Sequence, residues 1–207
     1  LIGAFYQPKK VIIDPSVLQT LEEKDFKSGL GAVIKYAFIE RSCECSEFFN
    51  LFGIFEKISK EQLHNNLAEI IFACVSLKAV VVEKDEKESG LRKILNLGHT
   101  YAHTFETVTK YKMPHGLAVA LGIKKALKAS LIKGLIDENY YNYSISLLEK
   151  FDLIQEIKNL NYKKVFEIMG SDKKVENSKI NLILPKPFAQ VSSFDDTDEL
   201  LIRDSLL

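Results

Sequence analysis

The 207 residues predict a mainly α-helical domain carrying one small β element. Apolar residues return at the 3.6-residue spacing of helices over most of the chain, whereas strand-like alternation with β-branched content stands out in residues 179–185. Hydrophobic residues make up 46% of the sequence, enough for one substantial core or two small ones.

Residues 1–8 read as loop, and 10–14 (KVIID) as a short strand closed by Pro15. Helical spacing begins at Phe26 and runs to Ile39, with Ser28 and Gly29 near its start. The clearest helix spans 60–83, where Leu63, Leu67, Ile70, Ile71, Cys74, Leu77 and Val81 form one stripe. A charged run at 83–88 ends in a Ser89-Gly90 turn. Helices are then expected at 91–110, before Pro114, and at 116–133, stopped by Gly134. Two more follow at 138–150 and 162–169. The strand at 179–185 pairs with 191–194, and a short helix over 198–206 closes the chain. No repeat or linker divides the sequence, which reads as one domain over 1–207.

Composition excludes several classes. Lys plus Arg number 28 and Asp plus Glu 28, so no net charge draws the chain to nucleic acid or an acidic membrane. The longest apolar stretch, 70–82, is interrupted by Ser76 and Lys78 and falls short of the ~20 residues of a membrane span. No signal peptide is visible, and three cysteines argue for a reducing cytoplasm rather than a disulfide framework. Cys43-x-Cys45 is a weak metal motif. The sequence opens on Leu1 rather than Met, which suggests a fragment.

Three of the four histidines, His99, His103 and His115, fall within seventeen residues. His99 and His103 are four apart on the expected 91–110 helix, so both rings leave the same face. Such a pair offers two imidazoles to a metal, or one ligand and one acid/base; in isolation it is more often two exposed or hydrogen-bonded histidines without a role. Along the same face stand Arg92, Asn96 and Glu106. A merely solvated face would carry Lys, Glu and Gln, so this stripe reads as the wall of a polar site. Lys78 lies within the apolar stripe of its helix, and Lys35 among apolar neighbours. Each is either a snorkelling lysine or an ammonium aimed at an anion.

The segment LRKILNLGHTYAH (91–103), followed by His115-Gly116 and Ala118-Val119, resembles the signature of 3-dehydroquinate synthase. The likeness takes in Lys78, the Asp85-Glu86-x-Glu88-x-Gly90 run, Ser28-Gly29-Leu30 with Val33-Ile34-Lys35-Tyr36, residues 1–8 and 11–15, and Asp172-Lys173-Lys174. It implies the helical-bundle C-terminal domain of that fold, without the N-terminal α/β nucleotide-binding domain, and with residues 1–15 as the junction to it. The family uses NAD and zinc (or cobalt) to convert the sugar phosphate 3-deoxy-D-arabino-heptulosonate 7-phosphate to 3-dehydroquinate and phosphate in the shikimate pathway.

By resemblance, His99 and His115 are metal ligands, and Glu88, His103 and Lys35 are catalytic. Lys78, Arg92, Asn96, Lys35, Ser28 and the Lys173/Lys174 pair hold substrate, and Leu18, Thr20 and Leu21 touch the nucleotide. The implied partners are the sugar phosphate, the nucleotide-binding domain and a second copy in a homodimer, with no nucleic acid or membrane. Two positions depart from the pattern. Ala32 stands where the family has a glutamate as third zinc ligand, and Leu117 where it has a glutamate after His-Gly. Without the nucleotide-binding domain, and so without most of the NAD site, the chain alone is expected not to turn over. A non-catalytic homologue with a degenerate metal site is the competing reading, and another sugar-phosphate cyclase, such as 2-deoxy-scyllo-inosose synthase, is a further one.

Overall fold

The run HGLAVALGIKKALKASLI is apolar around most of its circumference, which suits a helix enclosed on all sides. In the computed structural model, which describes residues 6–158, 160–171 and 180–207, this run is α5 (His115–Ile132), buried from Gly116 through Ile123 and again at Lys125–Leu127. Around it lie α1 (Glu23–Ile39), α4 (His99–Val108), α6 (Glu138–Lys150) and α8 (Glu199–Leu206), with one face covered by β1 (Ile180–Lys186). The remaining helices are α2 (Leu51–Lys57), α3 (Leu63–Lys84), which packs on α1, and α7 (Tyr162–Ser171), which packs on α4 and α8.

Glycine sets how closely these helices approach. A Cβ on Gly116 would stand 1.6 Å from the Ser28 carbonyl oxygen on α1, and one on Gly122 would stand 2.1 Å from that of Gly98. Any larger side chain would push the helices apart. The core that results is centred on Ile34, Phe38, Phe55, Tyr101, Phe105, Leu121 and Phe151, all fully enclosed.

α1 starts three residues before its apolar pattern, since Glu23 and Asp25 favour the positive end of a helix. α2 was not expected from the sequence. Its N-terminal amides are gathered by one buried carboxylate, Glu40, which accepts from the backbone N–H groups of Phe49, Asn50 and Leu51. The helices at 138–150 and 162–169 are as anticipated, the second extending to Ser171. β2 (Gln190–Thr197) pairs antiparallel with β1, with Ile183 opposite Ser193 and Pro185 opposite Val191. Phe188 and Ala189, both at positive φ, make the turn between them. Asp198 caps α8 by accepting from the Leu201 amide at 2.8 Å. α3 is long and apolar enough by composition to cross a membrane, and its stripe of Leu63, Ile70, Cys74, Leu77 and Val81 is buried in the fold.

Two expectations fail. Residues 10–14 form no strand: Val11, Ile12 and Ile13 are exposed, and no neighbouring strand among the described residues offers them a ladder. The helix expected over 91–110 is broken. Leu91–Asn96 is a 3-10 turn, and α4 begins only after Gly98, whose φ of +78° no helix accommodates. A Cβ there would meet the Val119 carbonyl oxygen at 2.7 Å, so the break lets the chain cross α5 closely. Residues 1–5 and 179, also read from sequence, lie outside the described residues.

Candidate active site

Because Gly98 resets the chain direction, His99 opens α4 and His103 follows one turn later; after Pro114, His115 opens α5. The three rings form a triangle with centroids 5.3 Å (His99–His115), 5.8 Å (His99–His103) and 6.2 Å (His103–His115) apart. Two of them are oriented from behind. His99 Nδ1 donates to the Leu97 carbonyl at 3.1 Å, and His115 Nδ1 donates to Glu106 Oε1 at 3.0 Å. In both rings this leaves Nε2 as the free lone pair, the form a metal or an acidic proton needs. Burial pushes the His99 imidazole down to about 3, and the neighbouring Lys35 ammonium adds to the effect, so this ring is neutral at physiological pH.

α1 faces this cluster. Ser28 Oγ accepts from the Gly116 amide at 3.0 Å, and the buried Lys35 donates through Nζ to the Leu95 carbonyl at 2.8 Å. Ala32 lies on the same face, four residues after Ser28 and three before Lys35. Beyond Leu95, Asn96 Nδ2 donates to Glu88 Oε1 at 2.5 Å, and Arg92 Nη1 donates to the Glu86 carbonyl at 2.7 Å. Lys35 thus links α1 to the turn that precedes the histidines and acts on His99, while Glu88 and Asn96 pair with each other and Arg92 bonds within its own loop; Arg92 and Asn96 arrive on a 3-10 turn rather than on the face of one helix.

Of the other expected residues, some are on the protein surface and some lie outside the described residues. Lys78 is exposed on α3, about 100° around from buried Leu77, so it is not part of the buried stripe. Leu18, Thr20 and Leu21 sit in the exposed 3-10 turn Pro15–Thr20 and its end. Lys173 and Lys174 lie outside the described residues. Leu117 is buried in α5, a place that suits an apolar side chain. Cys43 is buried and its thiol contacts the Ile39 carbonyl. Two contributors went unassigned in the sequence. Glu106 orients His115, a role signalled by its place one turn after His103. Asp85 ties the loop that carries Glu88, and its signal was its position at the end of the longest helix.

The set can be tested against a metal. Two imidazoles bound to one tetrahedral zinc at about 2.0–2.1 Å place their ring centres about 5 Å apart, close to the 5.3 Å between His99 and His115. A catalytic zinc takes three protein ligands, however, and among the described residues no three His, Cys, Asp or Glu side chains are grouped to hold one. The residues present fit two-thirds of a catalytic zinc site and do not complete it.

Residues 29–175 match the model of a family described as 3-dehydroquinate synthase C-terminal. The chain is 38% identical over 205 residues to a 3-dehydroquinate synthase of Prochlorococcus marinus (strain MIT 9312), covering 97% of this chain and 55% of that protein. It is 40% identical over 187 residues to the 3-dehydroquinate synthase of Helicobacter pylori (strain P12), covering 90% and 52%. The chain spans about half the length of these curated relatives. In fold it is similar to a 2-deoxy-scyllo-inosose synthase solved with carbaglucose-6-phosphate, NAD+ and Co2+, with TM-score 0.75 and 20% identity over 100% of this chain and 58% of that one. It is also similar to the 2-epi-5-epi-valiolone synthase of Streptomyces hygroscopicus subsp. jinggangensis 5008 solved with NAD+ and Zn2+, with TM-score 0.69 and 16% identity over 93% and 53%.

Proposed function

Because the chain belongs to the 3-dehydroquinate synthase C-terminal family, we propose that it is the substrate-facing half of a lyase that converts 3-deoxy-D-arabino-heptulosonate 7-phosphate to 3-dehydroquinate and phosphate. The observation that supports this reading is the triangle of three histidines from α4 and α5, with Lys35 of α1 close enough to act on His99. Leu18, Thr20 and Leu21 would help a nucleotide-binding half, joined through residues 1–15, to hold NAD, which when bound would supply transient oxidation of the substrate carbinol.

The side chains of this half have separable tasks. Lys35 and Arg92 are cations suited to substrate oxygens and phosphate, and by the family resemblance Lys78 and one of Lys173 and Lys174 share that task. Asn96 and Ser28 are neutral partners for hydroxyl groups. Glu88 and His103 carry protons, Glu88 from the crown of its loop and His103 from the second turn of α4. A homodimer in the cytoplasm is the setting this reading gives. The chain joined to its nucleotide-binding half should form 3-dehydroquinate and release one phosphate per turnover. His103→Ala and Glu88→Gln should each lower kcat about 10²–10⁴-fold. An assembled protein that binds NAD and substrate but releases no phosphate would contradict the reading.

One observation favours a second reading. The missing third donor beside His99 and His115 suits a non-catalytic homologue that keeps the fold and binds an anion. Another sugar-phosphate cyclase is a weaker alternative, since the cyclase neighbours at 16–20% identity share the fold alone. A panel of sugar phosphates given to the assembled enzyme separates it.

A further inference from the structure

We propose that Asp85 is the positioning residue of this site, holding the 85–92 loop in the one shape that presents Glu88 and Arg92 together. The proposal rests on the roles given above to Glu88 and Arg92. α3 ends at Lys84, and the Asp85 amide still closes the helix by donating to the Val81 carbonyl at 3.0 Å. Its side chain turns into the loop that follows. Oδ1 accepts from the Ser89 amide at 2.9 Å and the Ser89 hydroxyl at 3.0 Å; Oδ2 accepts from the Gly90 amide at 2.8 Å and the Arg92 amide at 2.9 Å.

Asp85 is buried while the loop from Glu86 to Gly90, two of whose residues (Ser89 and Gly90) its side chain holds, is exposed. Those exposed residues make no core of their own, so a carboxylate with four donors replaces packing as the source of their order. The carboxyl is held well below the usual range by these backbone N–H groups.

The clamp has a conformational consequence. Glu88 sits at φ +59°, a left-handed conformation that is strained for an L-residue and relaxes unless its neighbours enforce it. Asp85 fixes the residues just after it, at 89, 90 and 92. With Glu88 so held, its carboxylate meets Asn96 Nδ2, and the clamped Arg92 backbone sends its guanidinium back to the Glu86 carbonyl. One side chain that need touch no substrate thereby sets the position of an acid/base and of a phosphate-binding cation. Only an ionised carboxylate offers four acceptor sites there; the isosteric amide presents an NH2 to two donors.

The test uses Asp85→Asn, with Ser89→Ala as a milder variant that removes a single bond. In this chain, amide hydrogen exchange at Ser89, Gly90 and Arg92 should speed up about 10-fold or more in Asp85→Asn, while α5 amides keep their protection. In the chain assembled with its nucleotide-binding half, Asp85→Asn should lower kcat and raise KM, each about 10-fold or more. Glu88→Gln should then cost less in the Asp85→Asn background than in the parent, because Glu88 is already misplaced. A merely structural cap would lower the amount of folded protein and leave these ratios alone. The proposal is overturned if exchange at the three amides is unchanged, or if kcat and KM per folded enzyme stay at the parent values. Should the parent itself show no turnover, the synthase reading fails, and unchanged or accelerated exchange still decides the clamp.

Discussion

The two sides of the site are held in different ways. The histidines stand on α4 and α5, whose separation is set by backbone contact: Gly116 against Ser28, Gly122 against Gly98. Glu88 and Arg92 stand on an exposed loop whose shape depends on four hydrogen bonds to Asp85. The first side is spaced chiefly by steric contact, whereas the second is held chiefly by the electrostatics of one carboxylate. A site divided this way keeps its imidazoles rigid and lets the 85–92 loop be tuned separately.

Breaking the steric side should have the largest effect. Gly116→Val would place a side chain within 1.6 Å of the Ser28 carbonyl oxygen, and overpacking of this kind costs about 3 kcal/mol or more. Thermal unfolding should show a drop of many degrees; a melting temperature near the parent's would mean that the α1–α5 crossing is adjustable. Next comes the support behind His115. In a protein that binds zinc, Glu106→Ala should weaken the affinity about 10–100-fold without changing stability much, as read by calorimetry. No change would show that the Glu106–His115 hydrogen bond leaves the ring free to turn.

The electrostatic side can be probed with pH. The folded carboxyl of Asp85 lies below its unfolded value of 3.8, so its contribution is fully present above that value and is lost as pH falls through the lower, folded one. Protection of the Ser89 and Gly90 amides should therefore survive at pH 3.8 and collapse only in stronger acid. Asp85→Asn should remove that dependence. The smallest effect concerns the thiols. Burial pushes Cys43 and Cys74 up to about 12, so neither should react with iodoacetamide at mildly alkaline pH while the protein is folded. Rapid labelling of either would reveal an opening of the core around α1.

What the sequence disclosed follows the same division. α3, α5 and α6 were legible because a buried stripe repeats at 3.6 residues. The β1–β2 hairpin was legible from its β-branched alternation. α2 was not, because its start depends on Glu40, at least nine residues away in sequence, and no local cap announces it. The break at Gly98 was hidden for a related reason: apolar spacing continues through it, and only the approach of α5 requires the left-handed turn. Residues 10–14 have the composition of a strand, yet a strand exists only with a partner, which a local pattern does not reveal. In the site, the histidines were visible as a cluster. The tasks of Glu106 and Asp85 were not, since both act through hydrogen bonds made only once the chain has folded.

The central claim is that His99 and His115 form two-thirds of a metal site whose third ligand is missing at Ala32. Calorimetric titration of zinc into the parent and into Ala32→Glu, with His99→Ala as control, tests it directly. The account predicts weak binding by the parent and at least about 100-fold tighter binding by Ala32→Glu, abolished by His99→Ala in that background. Equal affinity in parent and variant would contradict it.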